Sequence, residues 1–273
     1  MQMNEQMLRI AQRSEQEIFP GVKISRFLYV RQDGSQFAAC AVTAQASAAR
    51  LVTGTAGGGY ARMDSVDDVP SQMRTAMDEG LAVIAGINAG YFRRKWHFAP
   101  YGLSVRKGVE IAPPHSEPRV AISGGIELGV FWLGVTKSGE LVFGSEEDYP
   151  LYRGKLDYAT SFPHYLVCRG ASAVDCDHGE GKREPRSAFG VGVDGSFALL
   201  AIDGRQPEYS TGASNWEAAR VLLALGVTTG VNLDGGGSTH LAVCSPDGRI
   251  ITVNRPCEER KVFDTLLLVR RRP

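Results

Sequence analysis

The 273-residue chain has no apolar run long enough to cross a bilayer, so no membrane span is expected. It has no excess of charge of either sign: 30 Lys and Arg balance 30 Asp and Glu, for a formal net charge of +0. Without a basic field to hold phosphate backbones, a nucleic-acid partner is not expected. It has no C-x-x-C pair, and its five cysteines are an odd number, which argues against a zinc site. Small buried thiols are the plain reading, although Cys168 and Cys176 flank a polar loop and could bridge in an oxidising compartment. Met1 to Glu17 is polar, reads as a helix or frayed arm, and lacks the apolar core of a secretion signal. The chain is therefore expected to be cytoplasmic, or secreted with its signal already removed. Internal repeats and low-complexity linkers are also missing.

What is present is a hydrophobic content of 43% and 32 glycines, enough for a real core and many tight turns. Residues 1–20 read as an N-terminal arm and 21–273 as one domain. Short apolar runs separated by Asp33-Gly34, Lys107-Gly108, Ser138-Gly139 and Asp194-Gly195 turns make the chain β-rich. A helix is expected from Ser71 to Glu79, stopped by Gly80. Thr53 to Tyr60, rich in glycine, reads as a loop. The expected fold class is α+β, a β-rich single domain with a central mixed sheet, flanking helices and a C-terminal βαβ unit.

That unit is the stretch from Phe197 to Leu241. Two apolar runs, Phe197 to Ile202 and Val227 to Leu233, each end in an aspartate, Asp203 and Asp234. Between them Ser214 and Glu217 form a capping box ahead of an apolar stripe at Ala218, Val221, Leu222 and Leu225, and Gly226 supplies the stop. A crossover helix makes its two strands parallel and puts both C-termini on one edge, where such sheets bind ligands. Asp203 and Asp234 are therefore expected at one site, with Arg205 and the Gly235-Gly236-Gly237 run beside them. The apolar run Leu81 to Ile87 repeats the layout and delivers Asn88 and Gly90.

Each element has a plainer reading. Asp203-Gly204 alone is a common turn, Asn88 suits a turn for conformational reasons, and Glu217 is best read as a cap. His240 reads as packed on a strand, and Trp96, His97 and Tyr101 fit a core, a rim or a sugar-stacking role equally. The loop from Gly170 to Arg186, with Asp175, Asp177, His178, Glu180, Lys182 and Arg183, reads as solvated surface or a lid. Asp234 followed by three glycines after a buried strand is the hardest to explain blandly.

Taken in order, Ile87-Asn88-Ala89-Gly90-Tyr91-Phe92, Arg186-Ser187-Ala188-Phe189-Gly190, Asp203-Gly204-Arg205, Asn232 to Thr239 and Val253-Asn254-Arg255-Pro256 resemble the phosphodiester glycosidase family over about Pro20 to Val269. The resemblance implies hydrolysis of the bond between a sugar anomeric carbon and a phosphodiester, on a surface polysaccharide or related glycoconjugate, by a bacterial or phage protein. It carries over Asp234 and Asp203 as motif carboxylates, Arg186 and Arg205 as motif arginines and Asn88 as the early asparagine. Two departures stand out: Ser187 where threonine is more usual, and His240 after Ser238-Thr239.

The chemistry suits those residue types. Phosphate leaves readily, so the site must chiefly hold an anion, which calls for arginine forks and convergent N–H groups. Gly204, Gly90 and Gly235 to Gly237 let backbone approach closely, and Ser238 and Thr239 add hydroxyls. One aspartate would attack the anomeric carbon or activate its water, with Asp234 the more central; the separation of the two carboxyls would distinguish retention from inversion. A divalent cation, Ca2+ or Mg2+, held by Asp234 and Asp203, is the other explanation for converging oxygen ligands. The alternatives are a non-catalytic polysaccharide-binding or assembly protein and a metal-dependent phosphoesterase.

Overall fold

The computed structural model of the chain describes residues 8–56, 66–93, 98–114, 121–122, 126–177 and 181–271. Trp96, His97, His178, Glu180 and positions 57–60 of the expected glycine-rich loop lie outside them. The described residues are about half strand, with three α-helices, and they cluster into two compact units.

The first unit comprises residues 1–48, 165–241 and 252–258. Its eight-stranded sheet runs, in spatial order, Leu8–Phe19, Val22–Arg31, Gln36–Ala44, Phe197–Ile202, Arg186–Gly192, Val227–Asn232, Tyr165–Cys168 and Ala171–Ser172. Every neighbouring pair is antiparallel, so the expected mixed sheet is corrected to an antiparallel one. The two aspartate-terminated strands do point the same way, because Arg186–Gly192 lies between them and pairs antiparallel with both. The polar stretch read as a helix or frayed arm is a strand over Leu8–Phe19, mostly exposed, paired along its length with Val22–Arg31. Its alternation is hidden because few of its side chains are covered, and backbone pairing at a sheet edge needs no apolar pattern.

The helix Asn215–Ala224 carries the expected capping box. The Ser214 hydroxyl accepts from the Glu217 N–H at 3.2 Å, and the Glu217 carboxylate accepts from the Ser214 N–H at 2.9 Å. Gly226 follows with φ +82, a left-handed conformation that glycine adopts without strain. The helix packs Ala218, Val221 and Leu222 against Leu200, Ile202, Ala188 and Phe37 of the sheet. Glu217 is more than a cap. It is 3% exposed and receives the Arg31 guanidinium, whose Nη2 lies 2.8 Å from Oε2.

The second unit comprises residues 49–164, 242–251 and 259–273. One of its five-stranded sheets orders Ile250–Thr252, Leu241–Cys244, Val83–Asn88, Asp264–Arg270 and Ala49–Thr55. The other orders Leu141–Ser145, Phe131–Thr136, Leu156–Phe162, Ser104–Arg106 and Val109–Ala112. The expected early helix covers Val69–Asp78, starting two residues sooner than the periodicity suggests because Asp68 caps it through the Ser71 N–H and Pro70 fits its first turn. No disulfide joins Cys168 and Cys176. No helix among the described residues is long and apolar enough to cross a membrane.

Candidate active site

The sheet of the first unit brings four segments to one edge. Arg186 starts its strand opposite Ile202, the last residue before Asp203, and Ala188 pairs with Asn232, two residues before Asp234. The Leu233 N–H donates to the Ser187 carbonyl at 2.9 Å and the Gly236 N–H to the Pro185 carbonyl at 2.9 Å, so the loop after Asp234 is laced to the strand that starts beside Asp203. The fourth segment is Asn254-Arg255. Asn254 Nδ2 donates to Asp203 Oδ1 at 2.9 Å and lies 3.4 Å from the Thr239 carbonyl, bridging the two aspartate loops.

Asp203 is 3% exposed, and both its oxygens are engaged. Oδ1 accepts from Asn254 Nδ2 and the Arg255 N–H, Oδ2 from the same N–H at 3.0 Å and from the Tyr209 hydroxyl at 3.1 Å. Burial pushes its carboxyl above the usual range, and these hydrogen bonds, which favour the ionised form, only partly offset that. Burial, with Asp203 beside it, pushes the Tyr209 phenol up to about 12. The Arg255 guanidinium lies 5.1 Å from the Tyr209 ring centroid. Any cation at Asp203 would have to displace these donors, and the described residues contain no group of three or more His, Cys, Asp or Glu arranged to hold a metal.

Asp234 is half-buried and opens the glycine loop. Gly236–Ser238 forms a turn of 3-10 helix, in which Gly236 takes φ +61. A Cβ on Gly235 would meet the Pro185 carbonyl oxygen at 2.7 Å, and one on Gly236 would meet Arg205 Nη2 at 3.1 Å, so the loop is bare because backbone and a guanidinium press on it. Three of its N–H groups are already committed: Gly236 to Pro185, Ser238 to Gly235 and Thr239 to Gly236. That leaves fewer donors for an anion than a fully open loop would offer. Ser238 and Thr239 are buried, and among the described residues Thr239 Oγ1 and Asn232 Oδ1 have no hydrogen-bond partner.

The two arginines differ. Arg186 Nε donates to the Ala213 carbonyl at 2.8 Å and Nη2 to the Lys182 carbonyl at 2.7 Å, fastening the loop before its strand to the turn before the helix. Arg205 adopts φ +58, a left-handed conformation unusual outside glycine, and is half exposed beside Gly236. Its Nε donates to Glu184 Oε2 at 2.7 Å. Burial works to raise Glu184, but the hydrogen bonds from Arg205 and Lys182 outweigh it and hold the carboxyl below its usual range. Glu184 in turn raises Arg205 further, keeping it a fixed cation. Gly204 is pressed against Pro185 and Gly212, with no room for a side chain.

Asn88 and Gly90 belong to the second unit. Asn88 is fully buried and pairs with Thr265. The Gly90 N–H donates to Asp264 Oδ1 at 3.0 Å, and Thr160 Oγ1 donates to Asp264 Oδ2 at 2.6 Å. Burial pushes the Asp264 carboxyl up to about 6 against these two hydrogen bonds. His240 Nε2 lies 2.8 Å from Thr252 Oγ1.

Sequence reasoning did not single out Tyr209, Glu184 or Asp264. Glu184 lies in a mixed-charge loop, and Tyr209 sits in a polar turn with no period. Asp264 had a usable signal. It heads an apolar strand antiparallel to the one ending at Asn88, so it returns to the same edge.

A family model described as phosphodiester glycosidase matches residues 82–269. Among solved structures, the chain is similar to the catalytic domain of zebrafish N-acetylglucosamine-1-phosphodiester alpha-N-acetylglucosaminidase, auto-inhibited by its pro-peptide, with TM-score 0.65 and 20% identity over 97% of this chain and 89% of that one. It is also similar to a hypothetical protein from Synechocystis, with TM-score 0.63 and 16% identity over 95% of this chain and 64% of that one. At these identities the likeness concerns the fold. A prophage-derived uncharacterised protein of Bacillus subtilis strain 168, YomE, is 34% identical over 86 residues, which are 32% of this chain and 13% of that protein's length.

Proposed function

Since the chain belongs to the phosphodiester glycosidase family, we propose that it hydrolyses the bond between a sugar anomeric carbon and a phosphodiester, acting on a surface polysaccharide or related glycoconjugate. The observation that carries this reading is the convergence of Asp234, the glycine loop and Arg205 at one sheet edge, where Gly236 lies against the Arg205 guanidinium. The strand–helix–strand segment from Phe197 to Asn232 serves, in this reading, as the βαβ unit that delivers both aspartates there.

In this mechanism Arg205, held by Glu184, faces the phosphodiester oxygens, and its charge is present at every working pH. The loop lets the anion come close to backbone. Asp234, half-buried and at the tip of its strand, attacks the anomeric carbon or activates its water as positive charge grows on the ring. Asp203 acts through others: with both oxygens accepting, it clamps Asn254, Arg255 and Tyr209 and so sets the wall of the site. Arg186 likewise orders the 182–186 loop. Asp203 and Arg186 are positioning residues, and Asp234 is the reacting carboxylate.

The test is turnover of a panel of sugar-1-phosphodiesters. Asp234→Asn is expected to lower kcat by about 10²-fold or more while leaving the fold intact. Equal turnover in wild type and Asp234→Asn ends the proposal. Binding of sugar phosphates without product release from any substrate would instead favour the non-catalytic polysaccharide-binding alternative.

A further inference from the structure

The first unit holds a cavity of about 450 Å3 on the sheet face that carries Asp203. Across neighbouring strands Ser14 pairs with Arg26, Arg26 with Cys40 and Cys40 with Ala201, so their side chains share that face with Asp203, two residues beyond Ala201. Small side chains, Ala38 and Cys40, form the floor on that face. Gln12 and Ser14 of the edge strand form one wall, Tyr209 and Asp203 the other. The Cys40 thiol feels both ends: burial pushes it up to about 12, Arg26 draws it down and Asp203 pushes it up.

Arg26 is the unusual member. It is exposed at the mouth of the cavity, and among the described residues its side chain makes no ion pair and no hydrogen bond. The neighbouring cations of the edge hairpin are satisfied: Lys23 and Arg13 both bind Glu15, at 2.9 and 3.2 Å. Two strand spacings and two residue rises separate Arg26 from Asp203, about 12 Å between Cα atoms. The cavity is therefore polarised, with an uncompensated guanidinium at one end, a saturated carboxylate–phenol pair at the other, and amide and hydroxyl groups over small apolar side chains between. An anion is repelled from the Asp203 end and attracted to the Arg26 end, while hydroxyl groups can donate to or accept from Gln12 and Ser14 and can donate to the Tyr209 oxygen.

We infer that this cavity is a carbohydrate-phosphate subsite, taking a sugar unit whose anionic group is held by Arg26. Applied to the proposed hydrolase, on which this application rests, the substrate is a polyanionic chain, with one phosphodiester at Arg205 and a second anionic group at Arg26. Binding itself does not require that reading.

The experiment titrates the full-length protein with glucose 1-phosphate and with glucose, following ligand NMR line widths, for wild type, Arg26→Gln and, as a control, Lys23→Gln. The inference expects Arg26→Gln to weaken glucose 1-phosphate binding about tenfold or more, the loss of one charge-assisted contact. It expects glucose binding to be unchanged and Lys23→Gln to behave as wild type. Equal affinity for glucose 1-phosphate in wild type and Arg26→Gln overturns it, as does equal weakening by Lys23→Gln, which would mark a general charge effect. An active protein with equal affinities sinks the subsite alone; a protein that turns over nothing yet loses binding in Arg26→Gln sinks the hydrolase alone.

Discussion

Asp264 offers a sharp test of the electrostatics. The residue is 2% exposed, its carboxylate accepts from the Gly90 N–H and the Thr160 hydroxyl, and burial raises its pKa from 3.8 to about 6. The native state therefore binds this proton more tightly than the unfolded chain. Stability from this group is fully present below about pH 4 and falls as pH rises towards 6, because unfolding releases the proton across that window. The raised value corresponds to about 3 kcal/mol of destabilisation once the group is ionised, the shift multiplied by 1.36 kcal/mol per unit. Asp264→Asn removes the charge and keeps the shape. Its carbonyl oxygen can still accept from Gly90, and the Thr160 hydroxyl can rotate to accept from the new amide. Urea denaturation of both proteins at pH 4, 6 and 8 cancels every other titrating group in the difference. The variant is expected to match wild type at pH 4 and to exceed it by about 1–3 kcal/mol at pH 8. A variant less stable than wild type at pH 8 would refute the reasoning, since it would mean that the ionised carboxylate is stabilised where it sits.

Further outcomes follow from the first unit. Glu217→Ala should cost about 3–5 kcal/mol in chemical denaturation, because it strands the buried Arg31 guanidinium as well as breaking the capping box; a loss near 1 kcal/mol would mean that the cap alone matters. Tyr209→Phe should cost about 1.5–3 kcal/mol, the loss of a hydrogen bond to a buried carboxylate, with KM rising more than kcat falls if Asp203 positions rather than reacts. Gly235→Ala, whose Cβ would strike a backbone oxygen, should reduce activity more than Gly236→Ala, whose Cβ meets the movable end of Arg205, although Gly236 carries the positive φ; the reverse order in kcat/KM would argue that backbone conformation dominates.

Features that depend on neighbours along the chain were legible in the residues alone. The Ser214–Glu217 cap, the glycine stops at Gly80 and Gly226 and the turn at Gly34 are set by local chemistry, and each stands as read. So is the shared direction of the two aspartate-terminated strands, which follows from apolar runs joined by a short helix. The resemblance in ordered fragments was legible for the same reason, since each fragment is contiguous. Which strands stand between and beside these elements was settled by long-range pairing in the folded chain. The strand Arg186–Gly192 inserts between the two expected neighbours and makes the sheet antiparallel, a choice made by strand pairing over long separations that no local period encodes. The stretch Leu8–Phe19 becomes a strand because Val22–Arg31 offers it an edge. Asp203 receives the Asn254 amide and the Arg255 N–H from about fifty positions away, and Glu217 its arginine from nearly two hundred. A carboxylate's role depends on which donors fill its lone pairs and how far it is buried, and those are properties of the folded neighbourhood.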